Sequence, residues 1–133
     1  MVLSYFKKFT WGADTLFEEA TLSGQKVHSI RKNRLGTAKA GVTLSHVFNN
    51  RTPQRREFFK NACTGVEPIK IIFSDLGKIE SVFVSGKALD HWETIAANDG
   101  LSIGNFEMFF HSQSEGGIYK GDIIHWTDLR YGA

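Results

Sequence analysis

The sequence holds one cysteine and two prolines in 133 residues. A lone Cys63 allows no internal disulfide and no multi-cysteine zinc site, and it points to a reducing, cytoplasmic setting. Two prolines beside 13 glycines exclude collagen-like and Pro-rich disordered chains. No apolar run approaches the roughly 20 residues that a membrane-spanning helix needs. The opening Met1-Val-Leu-Ser-Tyr-Phe-Lys-Lys sets its positive charges after a very short apolar stretch, the wrong order for a signal peptide. Phosphate loops of the GxxxxGK[ST] and GxGxxG types are missing. The five histidines, at positions 28, 46, 91, 111 and 125, lack paired zinc spacing, so neither metal nor cofactor is expected.

What is present is 41% hydrophobic and 23% charged residues, the balance of one globular domain spanning residues 1–133. The net charge of +2 hides an uneven distribution. From Ser23 to Cys63 there are nine basic residues, Lys26, Arg31, Lys32, Arg34, Lys39, Arg51, Arg55, Arg56 and Lys60, against the single acid Glu57. The remainder carries seven basic and thirteen acidic residues. Such asymmetry suggests an anionic partner. Nucleic acid is the commonest one, because phosphates reward clustered Lys and Arg through counterion release.

Periodicity predicts a mainly β chain with two or three helices. Helices are expected over Asp14–Leu22, Leu89–Ala97 and Ser102–His111, with Ser23-Gly24 ending the first, Asn98-Asp99-Gly100 the second, Ser102 capping the third and Gly116-Gly117 ending it. Alternation predicts strands over Val27–Arg31, Gly41–Phe48, Pro68–Ser74 and Lys78–Val84, the last two joined as a hairpin through Ser74-Asp75-Leu76-Gly77. Ile123-Ile124-His125-Trp126 reads as a closing strand, with His125 in a hydrogen bond. Trp92 and Trp126 are expected in the core, Trp11 is a possible base-stacking platform, and Cys63 reads as a small buried hydrophobe.

The chemistry concentrates in Gly24-Gln25-Lys26-Val27-His28-Ser29-Ile30-Arg31. Strand alternation puts Lys26 and His28 on one face and Ser29 and Arg31 on the other, so a bend near Lys26 is needed to bring its amine to the Ser29 hydroxyl. A hydroxyl is a weak nucleophile until a base or a desolvated amine activates it. A carboxylate must then orient the amine or shuttle its proton, and Asp99, at a helix break, is placed to project into a cleft. Pairing with Asp99 is expected to favour the charged form of Lys26, which suits binding better than base catalysis.

This segment resembles the G-x-K-x-x-T-I-R signature of the ASCH domain family. The likeness continues through Lys39-Ala40-Gly41-Val42-Thr43-Leu44, Arg51-Thr52, Cys63-Thr64 and Ile69-Lys70-Ile71. Ile95-Ala96-Ala97-Asn98-Asp99-Gly100-Leu101 is similar to the I-A-x-x-D-G-F segment of phage-type members, and Phe109-Phe110, Gly121 and Ile124-His125-Trp126 are similar to their ending. The resemblance implies an α+β, PUA-like fold, a small partly open β-barrel with flanking helices, and an association with RNA. Some members look like amidohydrolases that deacetylate acetylated cytidine with a Lys, a Thr and a Glu. By motif position these fall on Lys26, Ser29 and Asp99. Ser replaces Thr, which keeps the hydroxyl. Asp replaces Glu, which shortens the reach by one methylene, and Val42 stands where the family has Asp.

The leading expectation is therefore an RNA-binding or nucleotide-binding domain. Arg31, Lys32, Arg34, Arg51, Arg55 and Arg56 would hold phosphates, and a cleft around Lys26, Ser29, Arg31 and Asp99 would hold a base or nucleoside. The rival is the amidohydrolase, with Ser29 as nucleophile and Lys26 as base. A third reading is a phage accessory protein whose partner is a host protein.

Overall fold

The computed structural model describes residues 1–33 and 35–132; Arg34, one of the expected phosphate contacts, lies outside the described residues. The chain is α+β and mostly sheet. Its elements are β1 (Val2–Tyr5), α1 (Phe17–Leu22), β2 (His28–Arg31), β3 (Thr43–Phe48), β4 (Arg56–Ala62), β5 (Gly65–Phe73), β6 (Ile79–Val84), β7 (Lys87–Ala88), α2 (Glu93–Asn98), α3 (Ile103–Gln113) and β8 (Ile118–His125). Among the described residues the strands form two sheets and no closed barrel, a three-stranded sheet ordered β1-β3-β4 and a five-stranded one ordered β2-β8-β5-β6-β7. Among the described residues no helix is long and apolar enough to cross a membrane.

The larger sheet is antiparallel throughout. Its centre is β5, where Glu67, Ile69, Ile71 and Phe73 alternate inward. Partner strand β8 is longer than the closing strand read from Ile123–Trp126, because Gly121 lets it run unbroken between β2 and β5: a Cβ there would meet the Tyr119 hydroxyl and the Arg31 carbonyl. In the smaller sheet β1 runs parallel to β3, pairing Tyr5 with Phe48. One apolar core joins both sheets to the helices, with Leu3, Leu44, Ile71, Val84, Ile95, Phe106 and Ile123 at its centre. Cys63 is buried in it, and Trp11, Trp92 and Trp126 pack against it half-buried.

Several boundaries differ from the sequence reading. The first helix starts at Phe17 rather than Asp14, because Leu16 takes a left-handed backbone (φ 55°) and Asp14 is engaged in a bridge with Lys8. The second helix shrinks to Glu93–Asn98, Leu89 being drawn into a backbone hydrogen bond with Val82 beside the short β7. The third begins where expected, the Ser102 hydroxyl accepting from the Asn105 N–H at 3.1 Å, and ends at Gln113, ahead of Gly116-Gly117. β1, β4 and β7 were not legible from periodicity. β1 and β7 are short, and β4 lies mostly exposed with no alternation of polarity to betray it.

Candidate functional site

Lys26 sits in the extended stretch just before β2. Its N–H has no strand partner; it donates to the Ala20 carbonyl, and Val27 donates to the Asn98 carbonyl, which ties the start of β2 to α1 and to the end of α2. That is the bend which strand alternation alone would not supply. Gly100 makes it possible, with φ +80° and so little room that a Cβ would stand 3.0 Å from the Ala20 Cβ and 3.1 Å from the Lys26 Cβ.

The result is a convergence of distant residues. The Lys26 ammonium donates to the Asp99 carboxylate at 3.0 Å and to the Asp99 backbone carbonyl at 2.9 Å. Three aromatic faces surround the same nitrogen, Phe17 at 4.9 Å, Tyr5 at 5.8 Å and Trp126 at 6.0 Å from their centroids. Two residues along β2, Arg31 donates through Nε to the Ser29 hydroxyl at 3.0 Å and lays its guanidinium over the Tyr5 ring at 5.0 Å. Lys26, Ser29, Arg31 and Asp99 line one cavity of about 240 Å³, closed on its other sides by Tyr5, Phe6, Phe17, Phe109 and Phe110.

Electrostatics distinguish these groups. Burial lowers the pKa of Lys26 from its ordinary value, and the Asp99 charge and hydrogen bond oppose this. The expectation that Asp99 would favour the ammonium thus holds for its own contribution, while desolvation is the larger effect. Burial also raises the Tyr5 hydroxyl, the Asp99 charge adding to it while the Arg31 charge opposes, so it remains a donor. It donates to His46 Nδ1 at 2.9 Å, and His46 donates through Nε2 to the Asn61 side-chain oxygen at 2.8 Å. Burial depresses the pKa of His46 as well, consistent with a neutral ring.

Behind Asp99 lies a second polar group. His28, fully buried, reaches the same Asp99 oxygen through Nδ1 at 3.3 Å and the Tyr131 hydroxyl through Nε2 at 2.6 Å. Asn98 donates to that hydroxyl at 3.0 Å. Tyr131 belongs to the C-terminal strap that follows β8. The strap is clamped by Glu67, which accepts the Tyr131 and Gly132 N–H groups at 3.0 and 2.9 Å and the His125 Nε2 proton at 2.8 Å.

The other expected phosphate contacts are dispersed. Lys32 is exposed, 3.9 Å from Glu115. Arg51 and Arg55 are exposed in the β3–β4 loop and free of ion pairs among the described residues. Arg56 is exposed but held by both oxygens of Glu18. A larger hollow of about 350 Å³ lies beside Arg56, and its lining mixes Lys7 and Arg56 with Asp14, Glu18 and Glu19. Among the described residues no cluster of His, Cys, Asp and Glu has the arrangement of a metal site.

Sequence reasoning missed Tyr5, Glu67, Asn98 and Tyr131, and quoted His28 without giving it a role. Around Leu3 and Tyr5 only Ser4 is polar, Val2 and Phe6 being apolar, so alternation does not mark β1. Nothing local marks Tyr131, whose partners are 33 and 103 residues away. The chain matches no protein-family model, no curated protein and no solved structure.

Proposed function

We propose that the chain is a PUA-like domain of the ASCH type, acting in the cytoplasm, whose cavity binds a nucleobase or nucleoside of a single-stranded RNA. The observation that carries this reading is the pairing of ionic groups inside an aromatic-walled cavity. Lys26 is matched by Asp99, which leaves Arg31 as the uncompensated charge facing an anionic or hydrogen-bonding ligand. The walls are mostly apolar, with a few convergent polar groups, the usual composition of a small-molecule site. Phe6 and Phe109, which line the cavity, offer aromatic surface for a planar base. The exposed Arg51 and Arg55 would supply phosphate contacts along the strand.

A second reading, the amidohydrolase acting on acetylated cytidine, is favoured by the burial of Lys26, since desolvation favours the neutral amine that can accept a proton. The hydrogen bonding weighs against it. The Ser29 hydroxyl is engaged by Arg31, a group that does not accept protons, while the Lys26 amine is turned to Asp99. The deciding experiment titrates cytidine, uridine, adenosine and guanosine into the protein by calorimetry and, in parallel, follows acetate release from acetylated cytidine. Saturable nucleoside binding that Arg31→Ala weakens, without acetate release, is the expected result. Turnover lost in both Ser29→Ala and Lys26→Ala would replace the binding reading with the enzyme. Absence of both binding and turnover would move the argument to a host-protein partner.

A further inference from the structure

The hydrogen bonds behind the cavity can be assigned a direction atom by atom. A carboxylate only accepts, so Asp99 Oδ1 takes protons from both Lys26 Nζ and His28 Nδ1. His28 therefore carries a proton on Nδ1. The Tyr131 oxygen already accepts from Asn98 Nδ2, and burial raises the pKa of its hydroxyl, which keeps the proton in place. The hydroxyl has one proton to give and one partner in line to take it, His28 Nε2 at 2.6 Å. With Nε2 as that acceptor, the ring proton of His28 sits on Nδ1. The groups that face its ring are Asp99, Tyr131 and, edge-on with centroids 5.5 Å apart, His125. His125 adopts the opposite tautomer. Its Nε2 donates to Glu67 at 2.8 Å, and its Nδ1 is buried with no partner, as a bare ring nitrogen would be.

We propose that Tyr131, on the C-terminal strap, is a positioning residue for the cavity: its hydroxyl holds His28 in the Nδ1–H form, and His28 aligns the Asp99 carboxylate on Lys26. The relay runs from Asn98 through Tyr131, His28 and Asp99 to the ammonium at the cavity wall. Glu67 completes the device by fixing the strap backbone at the Tyr131 and Gly132 N–H groups. The consequence for ligand binding rests on the nucleoside reading given above; the relay itself does not.

The test uses the full chain, its parent sequence and Tyr131→Phe, which keeps the ring and removes the hydroxyl. Nitrogen-15 NMR of the parent is expected to show His28 protonated on Nδ1 and bare on Nε2, with His125 reversed, and a slowly exchanging Lys26 ammonium. Tyr131→Phe should shift the His28 Nε2 resonance, speed exchange of the Lys26 ammonium protons and weaken cytidine or adenosine binding about two- to tenfold, the worth of one hydrogen bond. A parent His28 protonated on Nε2 overturns the proposal whether or not the variant folds. So does a folded Tyr131→Phe with unchanged Lys26 exchange. Parent protein that shows the expected tautomers but binds no nucleoside refutes the nucleoside reading and leaves the relay standing.

Discussion

At the scale of single residues, the Lys26–Asp99 pair dominates because both members are buried. Removing one partner strands the other charge in the interior, which costs about 3–5 kcal/mol, whereas replacing both with apolar groups is far less damaging. Lys26→Met and Asp99→Leu are each expected to lower stability by about that amount in urea titrations, and the double variant by less than the sum. His125 supplies the pH dependence. Burial, opposed by the Glu67 hydrogen bond, lowers its pKa from 6.5 to about 4. The unfolded chain then binds a proton that the folded chain refuses between those values, so stability falls as pH drops from about 6.5 toward 4, by about 3 kcal/mol. Glu67 adds to this at lower pH. Burial alone would raise its pKa, but the Tyr131 and Gly132 N–H groups and His125 together lower it, so its stabilising contribution is lost as pH falls through the depressed folded value. Urea midpoints at pH 7 and pH 4.5 measure the His125 contribution, and His125→Phe should flatten that slope. Lys26, Ser29 and Arg31 were legible because they fall within six residues. The convergence of Asp99 with them had to be supposed from a helix break, and Tyr5 and Tyr131 arrive by contacts that no local pattern encodes.

At the scale of elements, the turn after α2 positions the site. Gly100 combines a left-handed backbone with close contact to Ala20 and Lys26. Gly100→Ala is expected to cost about 1–3 kcal/mol from backbone strain, and the crowding should also displace Lys26, so ligand affinity should fall along with the urea midpoint. A variant as stable as the parent would contradict the role given to this turn. The elements that periodicity revealed are those with one wet and one buried face, such as β5 and β6, or with a capping residue, such as α3 at Ser102. The start of β2 and the bend before it depend on hydrogen bonds to Ala20 and Asn98, which belong to tertiary packing and leave no periodic trace. Leu16 illustrates the opposite failure, an apolar residue in helical register whose left-handed backbone delays α1 until Phe17.

At the scale of the whole molecule, the basic stretch from Ser23 to Cys63 does not form one uniform face. Lys26 is spent on Asp99 and Arg56 on Glu18, which leaves Arg51 and Arg55 as exposed cations in the β3–β4 loop. Counting charges along the chain therefore overstates what is free to meet phosphate. For single-stranded RNA, each lost phosphate contact should flatten the log–log salt dependence of affinity by about 0.7. Arg51→Ala and Arg55→Ala are expected to show that change and Arg56→Ala a smaller one, read from filter-binding titrations across a salt series. Equal slopes for all three and the parent would argue against the loop as a phosphate contact.

Chemical-shift mapping decides whether the cavity beside Lys26 and Arg31 takes a nucleobase, as proposed. Nitrogen-15-labelled protein is titrated with each of the four nucleosides while backbone and side-chain resonances are followed. Saturable shifts centred on Tyr5, Ser29, Arg31, Asp99 and Phe109 are expected, and their loss in Arg31→Ala. Shifts centred elsewhere, or none with any nucleoside at millimolar concentration, would contradict it.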